Sequence, residues 1–519
     1  MKELSPFELK DELIAVASKE FQGEILNAGR GNPNFLATLP RKMFNLLGKF
    51  AIEESEFAYS YFHNDLGGFP RTNGLYTRFL MFLRSQDEKA GSSEMLVYLS
   101  YAQDQLGLNV DELLEEFVNA YLANNYPCPP RSLKNIEKIV KKYIVKEMCN
   151  NSLDAEFDVF PTEGGTAAMA YIFNSMKANK LMKAKDKIAL ITPIFTPYLE
   201  IPGLPEYDFE IVELRLDPKL NWQLPQSELD KLKDPAIKLL CIVNPSNPSS
   251  TMMSMESIHQ LKEIVDNDRP DLMIVTDDVY GTFADNFVSC FSVLPYNTLL
   301  VYSFSKYFGA TGWRLGTIAL AHENVFQDNI KKLSTENQNK INTRYSIMTS
   351  EPENLKFIDR LVADSRAVGL NHTAGLSTPQ QLQMALFSLN SLVDLKENYK
   401  QCCKELVRSR CELLYSSLGI KLVEDVNIVN YYTLIDLKTM AASLFDDEFA
   451  NWFEKNNKVN DFLFALAKET GVVLMPGKGF GDTTPTLRVS LANLKEYQYE
   501  AIGKYTRRIL KEFYENYKG

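Results

Sequence analysis

A series of short apolar segments limits what this chain can fold into more than any other feature of its sequence. The segments are rich in β-branched residues, do not alternate with polar residues, and are separated by helical patterns. Such segments are typical of strands buried on both faces of a parallel sheet with helical crossovers. We therefore predict an α/β fold with a mostly parallel central sheet, whose strands cover 157–161, 188–192, 209–214, 237–243, 272–276, 299–302 and 316–320.

The segments on either side of this sheet have a different pattern. Residues 1–24, 40–58 and 75–125 have the apolar spacing of helices, and after residue 376 long helices alternate with shorter strands. We expect four parts: an N-terminal arm with part of a small domain (1–62), a helical insertion (63–125), a large α/β domain (126–375) and a C-terminal small α+β domain (376–519).

Composition argues against several classes of protein. The 519 residues carry 56 Lys and Arg against 67 Asp and Glu, a net charge of −11, so nucleic-acid binding is not expected. No apolar run approaches the roughly 18 residues of a membrane span, and the first residues lack a signal-peptide core. A cytoplasmic protein without membrane contact is therefore expected. Seven scattered cysteines and four scattered histidines show no metal-ligand spacing, so no metal site is expected.

Ligands of open α/β sheets bind beyond the carboxyl ends of the strands, so the residues after each strand are candidates. Gly164, Gly165 and Thr166 follow the first strand and open a helix, where N–H groups and a hydroxyl suit a phosphate. A plain tight turn is an equally good explanation of these three residues alone. Two Asn-Pro pairs follow 237–243 and orient Asn247.

Two more strand ends carry polar residues. Asp277 and Asp278 follow 272–276, with Tyr280 close behind. The strand 299–302 is followed by Ser-Phe-Ser-Lys-Tyr-Phe-Gly-Ala-Thr-Gly-Trp-Arg-Leu-Gly, in which Lys306 and Arg314 stand among serines and glycines. A solvated acidic pair and a surface lysine would each be ordinary, but their shared order at successive strand ends favours a single site.

This set of motifs resembles the fold-type I pyridoxal-phosphate enzymes of the aspartate aminotransferase family, over about residues 20–62 and 126–515. The resemblance implies pyridoxal 5′-phosphate as the cofactor, held in the large domain and bonded to Lys306. It also implies the roles of the remaining residues. For the ring of the cofactor, it implies that Asp277 pairs with the nitrogen, that Tyr280 and Asn247 hydrogen-bond the oxygen, and that Phe195 stacks on the face. The phosphate is expected to be held by six residues, Gly164, Gly165, Thr166, Ser303, Ser305 and Arg314. Arg488 with Asn247 is expected to bind the substrate α-carboxylate, and Tyr126 to reach the phosphate of a partner subunit.

Two departures from the aminotransferases narrow the function. One is the helical insertion at 63–125. The other is Gly29-Arg30-Gly31, because the family has a hydrophobic residue between these glycines, where it lines the substrate side chain. Arg30 would place a cation there, although an arginine directed to solvent or to an acidic neighbour is the alternative. Lys10, Arg366 and His372 are further polar candidates for this role.

With these departures the chain resembles the aspartate 4-decarboxylases (aspartate β-decarboxylases). This resemblance implies conversion of L-aspartate to L-alanine and CO₂ through a ketimine, with Lys306, Tyr280 and Arg30 as catalytic residues. It also implies side aspartate aminotransferase activity, small 2-oxo acids as further ligands, a homodimer as the minimum unit, and assembly into a higher homo-oligomer, typically a dodecamer, through the insertion. A plain aspartate or aromatic amino-acid aminotransferase remains an alternative. A DNA-binding regulator built on this fold is a third reading, which the acidic composition disfavours.

Overall fold

The computed structural model describes residues 6–62, 65–87, 91–366 and 375–519. The chain divides into two compact units, each assembled from segments that are distant in sequence. The first unit comprises Met1–Phe35, Lys183–Asn286 and Lys400–Gly519, and the second comprises Leu36–Met182 and Phe287–Tyr399. Each unit therefore contains some of the strands that the sequence predicts for the central sheet.

The described residues form twenty α-helices and twelve β-strands, besides short 3-10 turns. The helices are α1 (Pro6–Glu20), α2 (Thr38–Ala58), α3 (Leu75–Arg84), α4 (Ser92–Leu106), α5 (Val110–Leu122), α6 (Lys134–Cys149), α7 (Gly165–Ala178), α8 (Pro197–Glu200), α9 (Gln226–Leu229), α10 (Met255–Asn267), α11 (Cys290–Val293), α12 (Val325–Lys331), α13 (Thr335–Tyr345), α14 (Phe357–Asp364), α15 (Thr378–Val393), α16 (Asn398–Leu418), α17 (Leu437–Leu444), α18 (Asp447–Asn456), α19 (Val459–Thr470) and α20 (Glu496–Lys518). The strands are β1 (Leu26–Asn27), β2 (Phe157–Thr162), β3 (Lys187–Thr192), β4 (Glu210–Arg215), β5 (Ile237–Val243), β6 (Met273–Asp277), β7 (Thr298–Ser303), β8 (Gly316–Ala321), β9 (Tyr432–Asp436), β10 (Val472–Val473), β11 (Met475–Pro476) and β12 (Thr486–Ser490). Across the described ranges, no helix combines the length and the apolar character needed to cross a membrane.

Four of the predicted strands lie in the first unit and pair in parallel, in the order β6-β5-β3-β4. β3, β5 and β6 are buried along nearly their whole length, as their non-alternating apolar sequences predict. Since parallel strands run in one direction, the ends of these three strands, at Thr192, Val243 and Asp277, lie along one edge. That edge carries three of the loops in which the sequence predicts site residues.

The second unit contains three strands that pair in antiparallel fashion, in the order β2-β8-β7. β8 is antiparallel to both of its neighbours, so this one strand is the exception to the mostly parallel arrangement that the sequence predicts. The chain between β7 and β8 contains a short 3-10 turn, Thr311–Trp313, in place of a crossover helix. Parallel neighbours need a long crossover connection, usually a helix, whereas antiparallel neighbours do not. The segment between β7 and β8, which contains Lys306 and Arg314, thus joins two antiparallel strands without a crossover helix.

A smaller sheet in the first unit supports the C-terminal candidate residue. β9, β11 and β12 pair in antiparallel fashion in the order β11-β12-β9, and β1 pairs in parallel with β10. Helices α1 and α16–α20 contribute to a core around these strands, with Leu13, Phe449 and Leu466 fully buried. This core fixes the strand that carries Arg488 and the strand that carries Tyr432.

In the second unit, helices α2, α4, α5, α6 and α15 pack together. Tyr98 of α4 donates a hydrogen bond to Asn390 Oδ1 of α15 at 2.9 Å, which ties these two helices together. Just beyond α2, the rings of Tyr59, Tyr61 and Phe62 contact one another and are 39–70 % exposed. We call these three residues the aromatic patch.

Candidate active site

The guanidinium of Arg488, on β12, lies buried in the first unit, with 4 % of the residue exposed. Nη1 donates to Asn247 Oδ1 at 3.1 Å, and Nη2 donates to the carbonyl oxygen of Gly29 at 2.7 Å. The rings of Tyr432 and Phe480 lie over the guanidinium, with their centroids 4.5 and 4.6 Å from Cζ. The structure therefore brings together two predicted substrate residues, Arg488 and Asn247, and the glycine that precedes Arg30.

This buried cation is incompletely paired. No carboxylate of the described residues forms an ion pair with Arg488, and its Nε–H group is buried without an acceptor. Burial lowers the pKa of Arg488, but a guanidinium remains charged in proteins. A buried charge costs free energy unless an opposite charge compensates it. Arg488 therefore has the charge and the free donor that a carboxylate ligand requires.

The loop that carries Arg30 is held at several points of the first unit. Tyr431 donates to the carbonyl oxygen of Gly31 at 2.8 Å, and Arg410 donates to Asn34 Oδ1 at 2.9 Å. Arg30 is exposed, and within the described ranges its side chain makes no hydrogen bond or ion pair. The backbone of the loop is thus fixed, while the guanidinium of Arg30 has no partner among the residues that the structure describes.

The three other polar candidates for the Arg30 role are placed differently. Lys10 forms an ion pair with Asp11 at 3.1 Å, and its Cγ lies close to Gly29. Arg366 belongs to the second unit, where it donates to the carbonyl oxygen of Gly375 at 3.2 Å. His372 lies outside the described residues.

Tyr280 and Asp277, at the end of β6, are buried in the first unit. The hydroxyl of Tyr280 lies 2.9 Å from the hydroxyl of Tyr432, and burial raises the pKa of Tyr280 well above its usual value. Tyr280 is therefore a protonated hydroxyl at neutral pH. Asp277 accepts a hydrogen bond from the hydroxyl of Tyr198 at 3.3 Å and one from the N–H of Val279 at 3.4 Å. These bonds orient the carboxylate of Asp277 and supply partners for its charge.

The loops after β5 and β3 place the remaining candidates of the first unit. Asn244 N–H donates to the carbonyl oxygen of Asp277 at 2.9 Å, and Asn244 Oδ1 accepts from the N–H of Met253 at 2.9 Å. These bonds fix the loop from which Asn247 reaches Arg488. Phe195, two residues beyond a cis Thr192-Pro193 bond, is partly exposed.

A second group of candidates lies in the second unit, around the beginning of α7. Gly164 has φ of +90°, and a Cβ on it would lie 2.4 Å from Nη2 of Arg314. A Cβ on Gly316 would lie 2.6 Å from the carbonyl carbon of Gly164, so only glycine permits this approach. Arg314 donates to the carbonyl oxygens of Thr311 at 3.0 Å and Glu163 at 3.4 Å. The structure therefore brings Gly164 and Arg314 together.

The donors of this second group fit a phosphate. Gly165 and Thr166 begin α7, and the first N–H groups of a helix have no acceptor within the helix. A Cβ on Gly165 would lie 3.6 Å from Cβ of Ser303, and the N–H of Ser305 donates to Ser303 Oγ at 3.3 Å. Helix N–H groups, hydroxyls and a guanidinium together are the donors that a phosphate dianion prefers. The residues present thus fit the phosphate of pyridoxal 5′-phosphate, and Lys306 follows directly in the chain.

Tyr126 is the residue that the sequence predicts to reach the phosphate of a partner subunit. It lies between α5 and α6 and is 75 % exposed, and within the described part of its own chain it has no hydrogen-bond partner. In those same ranges, no three histidine, cysteine, aspartate or glutamate residues cluster as metal ligands would.

Sequence reasoning did not identify Tyr198, Tyr432 or Phe480, which surround the predicted residues of the first unit. The available signal was the adjacent pair Tyr431-Tyr432 inside the predicted strand 428–435. Two consecutive tyrosines in a strand point to opposite faces of the sheet, so one of the two rings must face the site. Which ring faces Arg488 depends on how β9 pairs with β12, and that pairing is not readable from local sequence.

Comparison with known proteins adds to this geometry. The family described as "Aminotransferase class I and II" matches residues 123–503. A bifunctional aspartate aminotransferase and L-aspartate beta-decarboxylase from Pseudomonas sp is 53 % identical over 516 residues, which is 99 % of this chain and 97 % of that protein. Among solved structures, an aspartate aminotransferase double mutant from Thermus thermophilus has a TM-score of 0.62 at 16 % identity, covering 98 % of this chain and 97 % of the other. An aromatic aminotransferase from Pyrococcus horikoshii OT3 has a TM-score of 0.58 at 16 % identity, with 96 % and 99 % covered. The likeness to these structures confirms the predicted fold class, the α/β fold-type I architecture.

Proposed function

Because this chain belongs to the family of class I and II aminotransferases, we propose that it removes the β-carboxylate of L-aspartate to give L-alanine and CO₂, with aspartate transamination as a side activity. Enzymes of this family and fold depend on pyridoxal 5′-phosphate, which is therefore the cofactor. The Pseudomonas relative, whose name combines both activities, supports the proposal because the match extends over 99 % of the chain. A plain aspartate or aromatic aminotransferase is less well supported.

The observation that carries the substrate class is the incompletely paired guanidinium of Arg488. A carboxylate there would accept hydrogen bonds from a buried cation and compensate its charge. Arg30 follows Gly29, whose carbonyl oxygen accepts from Arg488, so the same loop carries a second cation, which has no partner in the described ranges. Two cations suit an amino acid with two carboxylates. We therefore assign the α-carboxylate to Arg488 with Asn247, and the β-carboxylate to Arg30.

We assign the predicted cofactor residues to the same proposal. Asp277 would compensate the protonated ring nitrogen, Tyr280 and Asn247 would donate to the ring oxygen, and Phe195 would stack on the ring. The phosphate would be held by Gly164, Gly165, Thr166, Ser303, Ser305 and Arg314. When bound, the cofactor supplies an electron sink that stabilises negative charge on the carbons of the amino acid.

The protein residues have separable tasks in this reaction. Lys306 would hold the cofactor, and its amino group would accept the proton from Cα of the substrate and later return it. Arg488 holds the α-carboxylate throughout. Arg30 orients the carboxylate that leaves as CO₂, and a proton takes its place at Cβ, so that aspartate plus a proton gives alanine and CO₂. A grip that is too tight on the leaving carboxylate would stabilise the substrate more than the transition state.

Proton NMR of the holoenzyme with L-aspartate and a catalytic trace of a 2-oxo acid tests this function. We expect many turnovers to alanine per enzyme. Formation of oxaloacetate in a single half-turnover, sustained only when stoichiometric 2-oxoglutarate is added, would identify a plain aminotransferase and contradict the proposal. Small 2-oxo acids are expected as ligands in either case, because they regenerate the aldehyde form of the cofactor.

Replacing Arg30 with alanine is expected to lower decarboxylation of aspartate about tenfold or more, and transamination of aspartate by a smaller factor. The reason is that loss of a charged hydrogen bond to the leaving carboxylate costs roughly 1.5–3 kcal/mol. Alanine and oxaloacetate formation are measured in the same reaction. Arg84→Ala, which removes an exposed arginine of α3, is the matched control. Equal loss of both activities in Arg30→Ala would deny Arg30 a special role at the β-carboxylate.

We also propose a homodimer as the minimum unit and a higher homo-oligomer, a dodecamer by resemblance. The exposed Tyr126 supports the dimer, since it has no hydrogen-bond partner in the described part of its own chain. The aromatic patch supports the larger assembly, because clustered exposed rings such as these, just beyond α2, commonly mark protein contacts. Light scattering of the holoenzyme would test the assembly, and a particle no larger than a dimer would contradict the higher oligomer.

A cytoplasmic location completes the proposal. It is supported by the seven cysteines, none of which forms a disulfide among the described residues, as expected in a reducing compartment. Fractionation of cells that produce the protein would test it, and recovery outside the cytoplasm would contradict it.

A further inference from the structure

We propose that Tyr432 is a positioning residue that serves two groups of the site at once: its hydroxyl donates to Tyr280, and its ring holds the guanidinium of Arg488. This inference rests on the proposed function, because it deepens the roles assigned there to Tyr280 and Arg488. Tyr432 is 2 % exposed, and no motif of the sequence pointed to it.

The first part concerns the proton between the two hydroxyls, which lie 2.9 Å apart. Each hydroxyl has a single proton to donate. If Tyr280 donates its proton to the ring oxygen of the cofactor, it cannot also donate to Tyr432. Tyr432 must then be the donor of the pair, and a hydroxyl that accepts a hydrogen bond becomes a stronger donor in turn. Tyr432 would therefore orient Tyr280 and strengthen its hydrogen bond.

The second part concerns the face of the ring. The centroid of Tyr432 lies 4.5 Å from Cζ of Arg488, and Phe480 lies on the guanidinium at 4.6 Å. Both distances are within the range of cation–π attraction, which is stronger for desolvated cations. Asn247 and Gly29 accept hydrogen bonds from the guanidinium. Two rings and two oxygen acceptors together hold the guanidinium in one orientation before any carboxylate binds.

The backbone fixes Tyr432 independently of these partners. Its N–H donates to Oγ of Ser250 at 2.7 Å, and β9 pairs Tyr432 with Ser490 of β12, two residues beyond Arg488. Arg488 and Ser490 are two residues apart on β12, so their side chains share one face of the sheet. Tyr432 pairs with Ser490, and its side chain therefore lies on the same face as Arg488. The ring is thus held by the sheet itself, so that it can position both Tyr280 and Arg488.

Tyr432→Phe tests the hydroxyl. The variant keeps the ring and removes the donor to Tyr280. Without that donor, Tyr280 should form a weaker hydrogen bond to the ring oxygen of the cofactor. A weaker bond disfavours the unprotonated, more negative form of the bound cofactor, so the pH midpoint at which the visible absorption band of the holoenzyme changes should rise. We expect an upward shift of about one pH unit, the size expected for one buried hydrogen bond. The affinity for maleate, a dicarboxylic acid that does not react, should stay within twofold.

Tyr432→Leu tests the ring. This variant removes the aromatic face as well as the hydroxyl, so it should show the same spectral shift and, in addition, bind maleate about tenfold more weakly. Tyr415→Phe is the matched control, because it removes a different tyrosine hydroxyl, a partly buried one that pairs with Thr433. The control should leave both the spectral midpoint and maleate binding unchanged. Melting of each apoprotein separates these effects from a loss of folding.

The upward spectral shift in both Tyr432 variants and the weaker maleate binding of Tyr432→Leu together support the proposal, and the absence of either result overturns it. If Tyr432→Leu fails to fold, Tyr432→Phe alone decides, because an unchanged midpoint excludes the donated hydrogen bond. Neither readout requires turnover. A wild-type enzyme that transaminates but does not form alanine would therefore contradict the proposed decarboxylation while leaving the role of Tyr432 open to the same two measurements.

Discussion

Replacement of Lys306 by alanine is expected to abolish both activities, lowering kcat for aspartate by at least about 10⁴-fold, because one side chain supplies the covalent attachment and the proton transfer at Cα. The visible absorption of the holoenzyme should disappear as well, since the band arises from the bond between Nζ and the cofactor. Absorption spectra and alanine formation measured on the same preparation check both expectations.

Lys332→Ala is the control for this variant, because Lys332 is an exposed lysine just beyond α12 in the same unit. It should retain full activity and an unchanged spectrum. A band that persists in Lys306→Ala would show that another amine carries the cofactor, and the assignment of the whole segment from Ser303 to Arg314 would fall with it.

Replacement of Arg488 by methionine should lower kcat/KM for aspartate by roughly 10²–10³-fold, since losing one partner of a buried charged contact costs about 2–5 kcal/mol. The free protein should not lose stability in proportion, because a buried, incompletely paired cation is itself costly and methionine is not. Steady-state kinetics and apoprotein melting measure the two quantities. The kcat/KM of Arg488→Lys should lie between the values of the wild type and Arg488→Met, since lysine keeps the charge but cannot donate two parallel hydrogen bonds to a carboxylate.

The matched control is Arg507→Met, which removes an exposed arginine from α20 and has no expected effect on kcat/KM. Two results would contradict the role assigned to Arg488. One is a kcat/KM close to that of the wild type. The other is a large fall in melting temperature, which would indicate a structural cation instead of one held ready for a substrate.

Much of the site could be predicted because its residues stand in short motifs. The run from Ser303 to Arg314 and the pair of glycines at 164 and 165 carry their spacing in the local sequence, as does Asp277 at a strand end. The Gly164 and Arg314 contact shows why the glycine stands there, since any side chain would meet the guanidinium. Arg30 was conspicuous as a cation between two glycines, but its exposure and lack of a partner in the described ranges come only from the structure.

The sequence by itself determined the strands, because the pattern of buried apolar residues is a local property of the chain. It also determined which functional groups lie at the strand ends, because the motifs give the side chains that follow each strand. Only the tertiary structure decided what surrounds Arg488. Two of its hydrogen-bond acceptors, Asn247 and Gly29, are 241 and 459 residues away, and the rings of Tyr432 and Phe480 reach it from other segments. Burial, and with it the unsatisfied charge that makes this arginine a carboxylate site, arises when distant segments pack together, and no local pattern records that packing.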